Sequence, residues 1–286
     1  MQFNPIQHAH DRRFDYTTVK LFGRDGRYKV KITCMKSCLV SGLERPKQDT
    51  PSRCQNVNDS KLENNISRAK AKIFDLAFCN PWEYYVTGTL SPDKYDRTNL
   101  KKFIADLTLY IRNYNARHGL KIKYLFIPEL HSDGKSWHVH GFLMGLPKEH
   151  LRQFKVGDTM GKSIADKVLA GDVVYEWSAY SKKFGFCDLE PIGNAEAVSK
   201  YITKYINKEL GNCVKELGDH LYYHSRGLNF APTIASGNTA DIFHLIDDMP
   251  CSYQSDYCIV YWLSYDLCKD FLSNVLTALT DHTTIT

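Results

Sequence analysis

Two runs of β-type residues, 122–130 and 136–144, flank a short polar stretch, and this pair constrains the fold more than any other feature of the chain. Asp133-Gly134 sits at the centre of the stretch and is a two-residue hairpin signal. With that turn Ser132 faces Lys135, the numbers of every cross-strand pair sum to 267, and Glu129 is expected opposite His138. Directly opposed residues share a face with Cβ atoms about 4.5–5.5 Å apart. Side chains alternate along a strand, so His138 and His140 point the same way and Val139 the other. One carboxylate and two imidazoles then converge from adjacent strands. Such a mixed oxygen and nitrogen set with open positions suits a catalytic divalent ion better than a closed structural site. His131 shares that face and is the alternative third ligand if the turn is looser. His8-Ala9-His10 repeats the spacing in a polar segment without strand pattern and carries no such expectation.

Around this hairpin the pattern predicts an α+β domain with a central antiparallel sheet and flanking helices. Residues 84–90 read as a strand ended by Ser91-Pro92-Asp93. Thr98 is placed to cap a helix whose apolar positions Leu100, Phe103, Ile104, Leu107, Tyr110, Ile111 and Tyr114 follow the 3.6 period, with Gly119 as its stop. Pro147 is expected to open another helical stretch, 173–180 and 186–189 to be strands, and Asn194 to cap a helix over 195–210 that Gly211 ends. Residues 221–232 read as extended. Toward the N-terminus, 16–22 and 28–35 read as a hairpin around Arg24-Asp25-Gly26, 43–60 as a polar linker, and 61–77 as an amphipathic helix. The expected organisation is a basic N-terminal region over 1–78, the α+β domain over 79–235 and an acidic, aromatic segment over 236–286.

Charge is unevenly placed. Residues 240–286 hold seven aspartates against Lys269 alone, a net of −6, which leaves +11 on residues 1–239 of a chain whose total is +5. The body of the chain therefore favours a polyanion. No apolar run approaches the roughly 20 residues that cross a bilayer, and the N-terminal residues lack the apolar core of a secretory signal, so no membrane role is expected. Nine scattered cysteines read as reduced thiols of a cytoplasmic protein; Cys34, Cys38 and Cys54 are three parts of a zinc site without a fourth. Gly157-Asp-Thr-Met-Gly161-Lys162-Ser163 resembles a phosphate-binding loop, but has three intervening residues where four are required, so no ATPase is expected.

The third element is the expected helix around Tyr201-Ile-Thr-Lys204-Tyr205. Val198, Ile202 and Ile206 form an apolar stripe at about 100° per residue, Lys200, Lys204 and Lys208 a basic one, and Tyr201 and Tyr205 lie one turn apart between them. Two phenols beside a lysine row can reach a phosphate.

A strand with Thr87 and Thr89, then Glu129 ahead of Trp137-His138-Val139-His140-Gly141, then Tyr201-Ile-Thr-Lys204-Tyr205 resembles the three ordered motifs of the HUH endonuclease superfamily. The resemblance covers about residues 80–230 and is nearest to the two-tyrosine rolling-circle replication initiators of bacterial plasmids and single-stranded DNA phages. It departs at Gly88, which interrupts a strand that is usually more continuously apolar and threonine-rich. The resemblance implies an HUH/RRM-like fold. It also implies Mg²⁺ or Mn²⁺ held by His138, His140 and Glu129, attack by Tyr201 or Tyr205 to give a 5′-phosphotyrosine, and Lys204 close to the phosphate. The partners it implies are single-stranded origin DNA and, in the cytoplasm of a bacterial host, a separate helicase and the replication machinery. Thr87, Thr89, Lys94, Arg97, Lys200 and Lys208 are expected along the DNA path, with Tyr95 or Trp137 stacking on bases. Two-tyrosine transposases share the motif order and stay open. A non-catalytic single-strand binder explains the charge and the aromatics but not the histidines, glutamate and tyrosines together. A two-histidine, one-carboxylate iron oxygenase leaves the tyrosines and the basic helix without a role.

Overall fold

The structure is a computed structural model that describes residues 13–24, 27–39, 59–193, 202, 220–254, 258–264 and 269–280. In chain order its elements are β1 Arg13–Arg24, β2 Arg27–Leu39, α1 Asp59–Cys79, β3 Tyr84–Leu90, α2 Leu100–His118, β4 Lys123–Leu130 and β5 Trp137–Met144. Then follow β6 Arg152–Gln153, α3 Lys162–Leu169, β7 Tyr175–Glu176, α4 Ser178–Lys183, β8 Gly185–Pro191 and β9 Tyr223–His224. The last are β10 Thr233–Asn238, α5 Phe243–Ile246, β11 Tyr253–Gln254, β12 Cys258–Ser264 and α6 Lys269–Thr280. Among the described residues no helix is long and apolar enough to cross a membrane.

The α+β class expected from the pattern is what the chain adopts, in two antiparallel sheets. The chain divides into two compact units, one from residues 1–56 with 230–286 and the other from 57–229. In the first unit the long hairpin β1–β2 is flanked by β10 and β12 in the order β10-β1-β2-β12-β11. Val19, Val30, Ile32, Ala235, Ile242, Tyr261, Leu272 and Val275 form its core. The hairpin expected near the N-terminus is therefore the centre of a sheet whose outer strands come from the far end of the chain.

The second unit carries the seven-stranded sheet β6-β7-β8-β3-β5-β4-β9. Its middle strands are those with the strongest alternation. In β3 the even-numbered Tyr84, Val86, Gly88 and Leu90 are buried, while Tyr85, Thr87 and Thr89 are half-buried on the other face. Helix α2 buries Leu100, Phe103, Ile104, Leu107, Ile111 and Tyr114, the stripe that periodicity predicts, and stops where Gly119 adopts the left-handed conformation. Its cap is Asn99 rather than Thr98. Asn99 Oδ1 accepts from the Lys102 amide, whereas the Thr98 amide and hydroxyl both donate to Asp96 Oδ1.

Two further expectations are corrected. Residues 173–180 do not form one strand, because β7 is only two residues long and α4 follows at once; Trp177, Tyr180 and Phe184 bury their rings in a helical turn against Tyr110. Pro147 opens a single 3₁₀ turn, Lys148–His150, rather than a longer helix.

Gly88 has a steric reason. A Cβ there would lie 2.8 Å from the Tyr180 hydroxyl, so the interruption in β3 makes room for the aromatic layer beneath the sheet. Gly141 is stricter still, since a Cβ there would run into the Leu125 carbonyl oxygen, a clash that only backbone movement beside His140 could relieve.

Candidate metal centre

Strands β4 and β5 pair in the register read from the sequence, with Glu129 opposite His138 and Leu130 opposite Trp137. The turn itself differs. The His131 amide donates to Ser136 O at 2.7 Å, and the Gly134 amide donates to His131 O at 2.9 Å. Gly134 takes a φ of +68°. Four residues, 132–135, thus make the loop instead of two. A two-residue loop and a four-residue loop centred on the same Asp-Gly step give the same pairing, so the register survives the correction. Asp133 stabilises the wider loop. Its carboxylate accepts from the Ser136 hydroxyl, the Ser136 amide and the Lys135 amide, which lowers its pKa below the usual carboxylate range.

The consequence is a compact ligand set. His138 Nε2 and His140 Nε2 each lie 2.7 Å from Glu129 Oε2. The donor atoms of all three residues fall within 4.8 Å of one another, the one such group of His, Cys, Asp and Glu among the described residues. Burial pulls the Glu129 carboxyl up, but hydrogen bonds from His138 and His140 and their charge outweigh it and leave its pKa at about 2. Glu129 is therefore an anion at any working pH. Two imidazole nitrogens and one carboxylate oxygen on a single sheet face fit a divalent ion that keeps open positions for substrate. His131 is exposed, with its ring 5.8 Å from that of His138, and lies outside the group.

The neighbouring strand supplies the next layer. In register, His140 faces Thr87 and His138 faces Thr89 across β3–β5, and Thr87 faces Asp188 across β3–β8. The Tyr85 hydroxyl is 3.0 Å and the Thr87 hydroxyl 3.5 Å from His140 Nδ1. Phe142, next on the same face, stacks on Trp82, whose indole donates to Leu76 O near the end of α1. The sheet thus holds the site on its two central strands, β3 and β5, with β4 beside them.

Other expected residues fall elsewhere. Trp137 is 4% exposed in the core on the face opposite His138, so stacking on a base from there is corrected. Tyr95 is engaged within the fold: its hydroxyl donates to Asp106 Oδ2 at 2.6 Å, and its ring contacts Phe103 and Phe184. Lys94 Nζ donates to Ser181 O, and Arg97 lies 3.8 Å from Asp133 Oδ2. Tyr201, Lys204, Tyr205, Lys200 and Lys208 lie outside the described residues; of that expected helix only Ile202 is described, helical and fully buried in the core of the second unit. Cys34 is buried and accepts from the Thr17 hydroxyl, and Cys54 lies outside the described residues.

With this geometry in place, the family comparison is informative. Residues 83–210 match the family model of replication-associated proteins of the ORF2 type. The matched segment starts at the edge of β3, contains Glu129, His138 and His140, and runs past Tyr201 and Tyr205, so all three sequence elements fall within it. No curated protein and no solved structure matches the chain.

Two residues of the site escaped sequence reasoning. Tyr85 lies two positions before Thr87 on the same strand face, which alternation alone could have supplied. Asp188 is an acid inside the otherwise apolar Phe-Cys-Asp-Leu of β8, a local anomaly that signals a polar partner. It is 5% exposed, and its pKa is pushed up to about 6 by burial and by Glu190, against the opposing pull of Lys167 and the Thr87 hydroxyl. A buried acid raised in this way binds its proton more tightly folded than unfolded, so the fold loses stability as pH rises from about 4 to about 6. Asp188→Asn, which cannot ionise, is expected to be more stable than the parent at pH 8 by up to about 3 kcal/mol, with the gap closing below pH 4. Denaturant melts at both pH values check this; a variant equally destabilised at both would refute it.

Proposed function

We propose that the chain is a rolling-circle replication initiator that nicks one DNA strand at an origin and keeps the new 5′ end on a tyrosine. The observation that carries this reading is the convergence of Glu129, His138 and His140 on one oxygen-nitrogen site inside a segment that matches a replication-associated family. The fit is to Mg²⁺ or Mn²⁺, and such an ion when bound polarises the scissile phosphate and balances charge building on its oxygens.

The chain's own residues do the rest. The phenol oxygen of Tyr201 or Tyr205 attacks phosphorus in line and loses its proton. The bond from phosphorus to the 3′ oxygen breaks, leaving a free 3′ hydroxyl to prime synthesis and a 5′-phosphotyrosine. Lys204 neutralises phosphate charge. One phosphodiester replaces another of similar energy, so no nucleotide is consumed, and the second tyrosine accepts the strand when the circle closes. Duplex unwinding falls to a separate helicase of the bacterial host, whose replication machinery extends the primer in the cytoplasm. Thr87 and Thr89, facing the histidines, lie where a strand would pass, and Lys94, Arg97, Lys200 and Lys208 are its phosphate contacts.

Short single-stranded oligonucleotides incubated with the protein and Mn²⁺ are expected to give a protein–DNA adduct that survives a denaturing gel and is absent with EDTA. DNA binding that persists in EDTA without any adduct would instead indicate a non-catalytic binder.

A further inference from the structure

His140 must serve two partners with one ring. Its Nε2 faces Glu129 Oε2 at 2.7 Å, the position from which it would ligate an ion, and its Nδ1 faces two hydroxyls, those of Tyr85 at 3.0 Å and Thr87 at 3.5 Å. Only the tautomer that is bare at Nε2 and protonated at Nδ1 can ligate through Nε2. Without an ion, the short contact to Glu129 favours a proton on Nε2, so the ring has to exchange tautomers when it binds one. A hydroxyl suits that exchange because it can donate to a bare Nδ1 or accept from a protonated one.

Thr87 is not free to choose. Its hydroxyl is hydrogen-bonded to Asp188, the buried acid directly opposite it on β8. Once its proton is given to that carboxylate, the Thr87 oxygen can only accept, and an accepting oxygen beside Nδ1 favours the protonated form. We propose that Asp188, acting through Thr87 and together with Tyr85, positions His140 in its Nδ1-protonated form and so primes the centre for a divalent ion. The inference rests on the reading of Glu129, His138 and His140 as the ligands. It assigns three further residues to that site, two on the central strand and one a strand further out.

The layout supports it. Thr87 and Asp188 continue the row that starts at His140, one residue per strand, so no loop movement is needed to align them. Asp188 sits on the sheet face that carries His140, yet it is 5% exposed. A carboxylate serving solubility alone would not be placed there.

The test uses Mn²⁺ titration of the full chain by calorimetry, with long-range ¹⁵N–¹H spectra of the histidine rings and apo melting curves. The parent should bind one Mn²⁺ at the centre and His140→Ala should lose it; equal binding by the two would overturn the ligand reading itself. Given a binding parent, Thr87→Val, Tyr85→Phe and Asp188→Ala are each expected to weaken Mn²⁺ about 10-fold, as loss of an outer partner of a ligating histidine does. Their His140 signals should shift toward the Nε2-protonated tautomer in the apo protein. Asp188→Asn, whose carbonyl still accepts the Thr87 proton, should recover most of the affinity. If all three variants bind as the parent does with unchanged His140 signals, the proposal is wrong. If affinity falls only in step with apo melting temperature and Asp188→Asn recovers nothing, the residues merely hold the sheet together and the proposal is equally wrong.

Discussion

A chain with both Tyr201→Phe and Tyr205→Phe is expected to yield no covalent DNA adduct, while still binding the same single strand. The phenol oxygen is the atom that forms the bond to phosphorus, and phenylalanine keeps the ring and the helical preference while removing that atom. Loss of a nucleophile is among the largest effects a substitution can have, here on the order of 10³-fold or more in the rate of adduct formation. The single variants separate the roles. If either phenol can open the cycle, each single variant retains adduct at a reduced rate; if one is dedicated to initiation, its variant alone matches the double. Labelled origin oligonucleotide on a denaturing gel reads all three, with filter binding as the control. Adduct from the double variant at the parent's rate would remove both tyrosines from the mechanism.

Glu129→Ala and His140→Ala are expected to abolish strand cleavage to a similar degree without unfolding the protein. Each takes away one of three protein ligands, and charge stabilisation by a bound divalent ion is worth several kcal/mol in the transition state, or roughly 10²–10⁴-fold in rate. The structural cost is small. The Glu129 side chain is 38% exposed, so truncating it opens no cavity, and the imidazoles it leaves can face water. Melting temperatures close to the parent's, with cleavage partly restored by millimolar Mn²⁺, would place the defect in ion affinity. Cleavage at the parent's rate by Glu129→Ala in Mg²⁺ would take the carboxylate out of the centre.

The hairpin and its ligands were legible because every quantity involved is local. Alternation fixes which side chains share a face, an Asp-Gly step fixes where the chain folds back, and the two together fix register. The loop width was misjudged, since nothing in the residue types says that the Asp133 carboxylate will hold two amides and a hydroxyl at once. Trp137 was misplaced for a different reason. A tryptophan beside a histidine pair reads as a stacking platform, yet the same alternation that aligned His138 with His140 sends Trp137 to the opposite face and into the core. Asp188 was invisible because its meaning lies in Thr87, about a hundred residues earlier, and pairing between distant strands leaves no trace in a single sequence. The same limit hid the partners of the N-terminal hairpin, β10 and β12.

That last pairing also sets the order in which the molecule can be made. The β1–β2 ribbon leaves the ribosome early, but the strands that flank it are encoded some 200 residues later. At about 5–20 residues per second the ribbon waits on the order of 10–40 s with both edges unpaired, while the unit over 57–229 has its whole sequence in hand well before. The nascent chain therefore acquires its ion-binding centre first and completes its outer sheet last, and through that interval the exposed ribbon is the part of the polypeptide most in need of a chaperone.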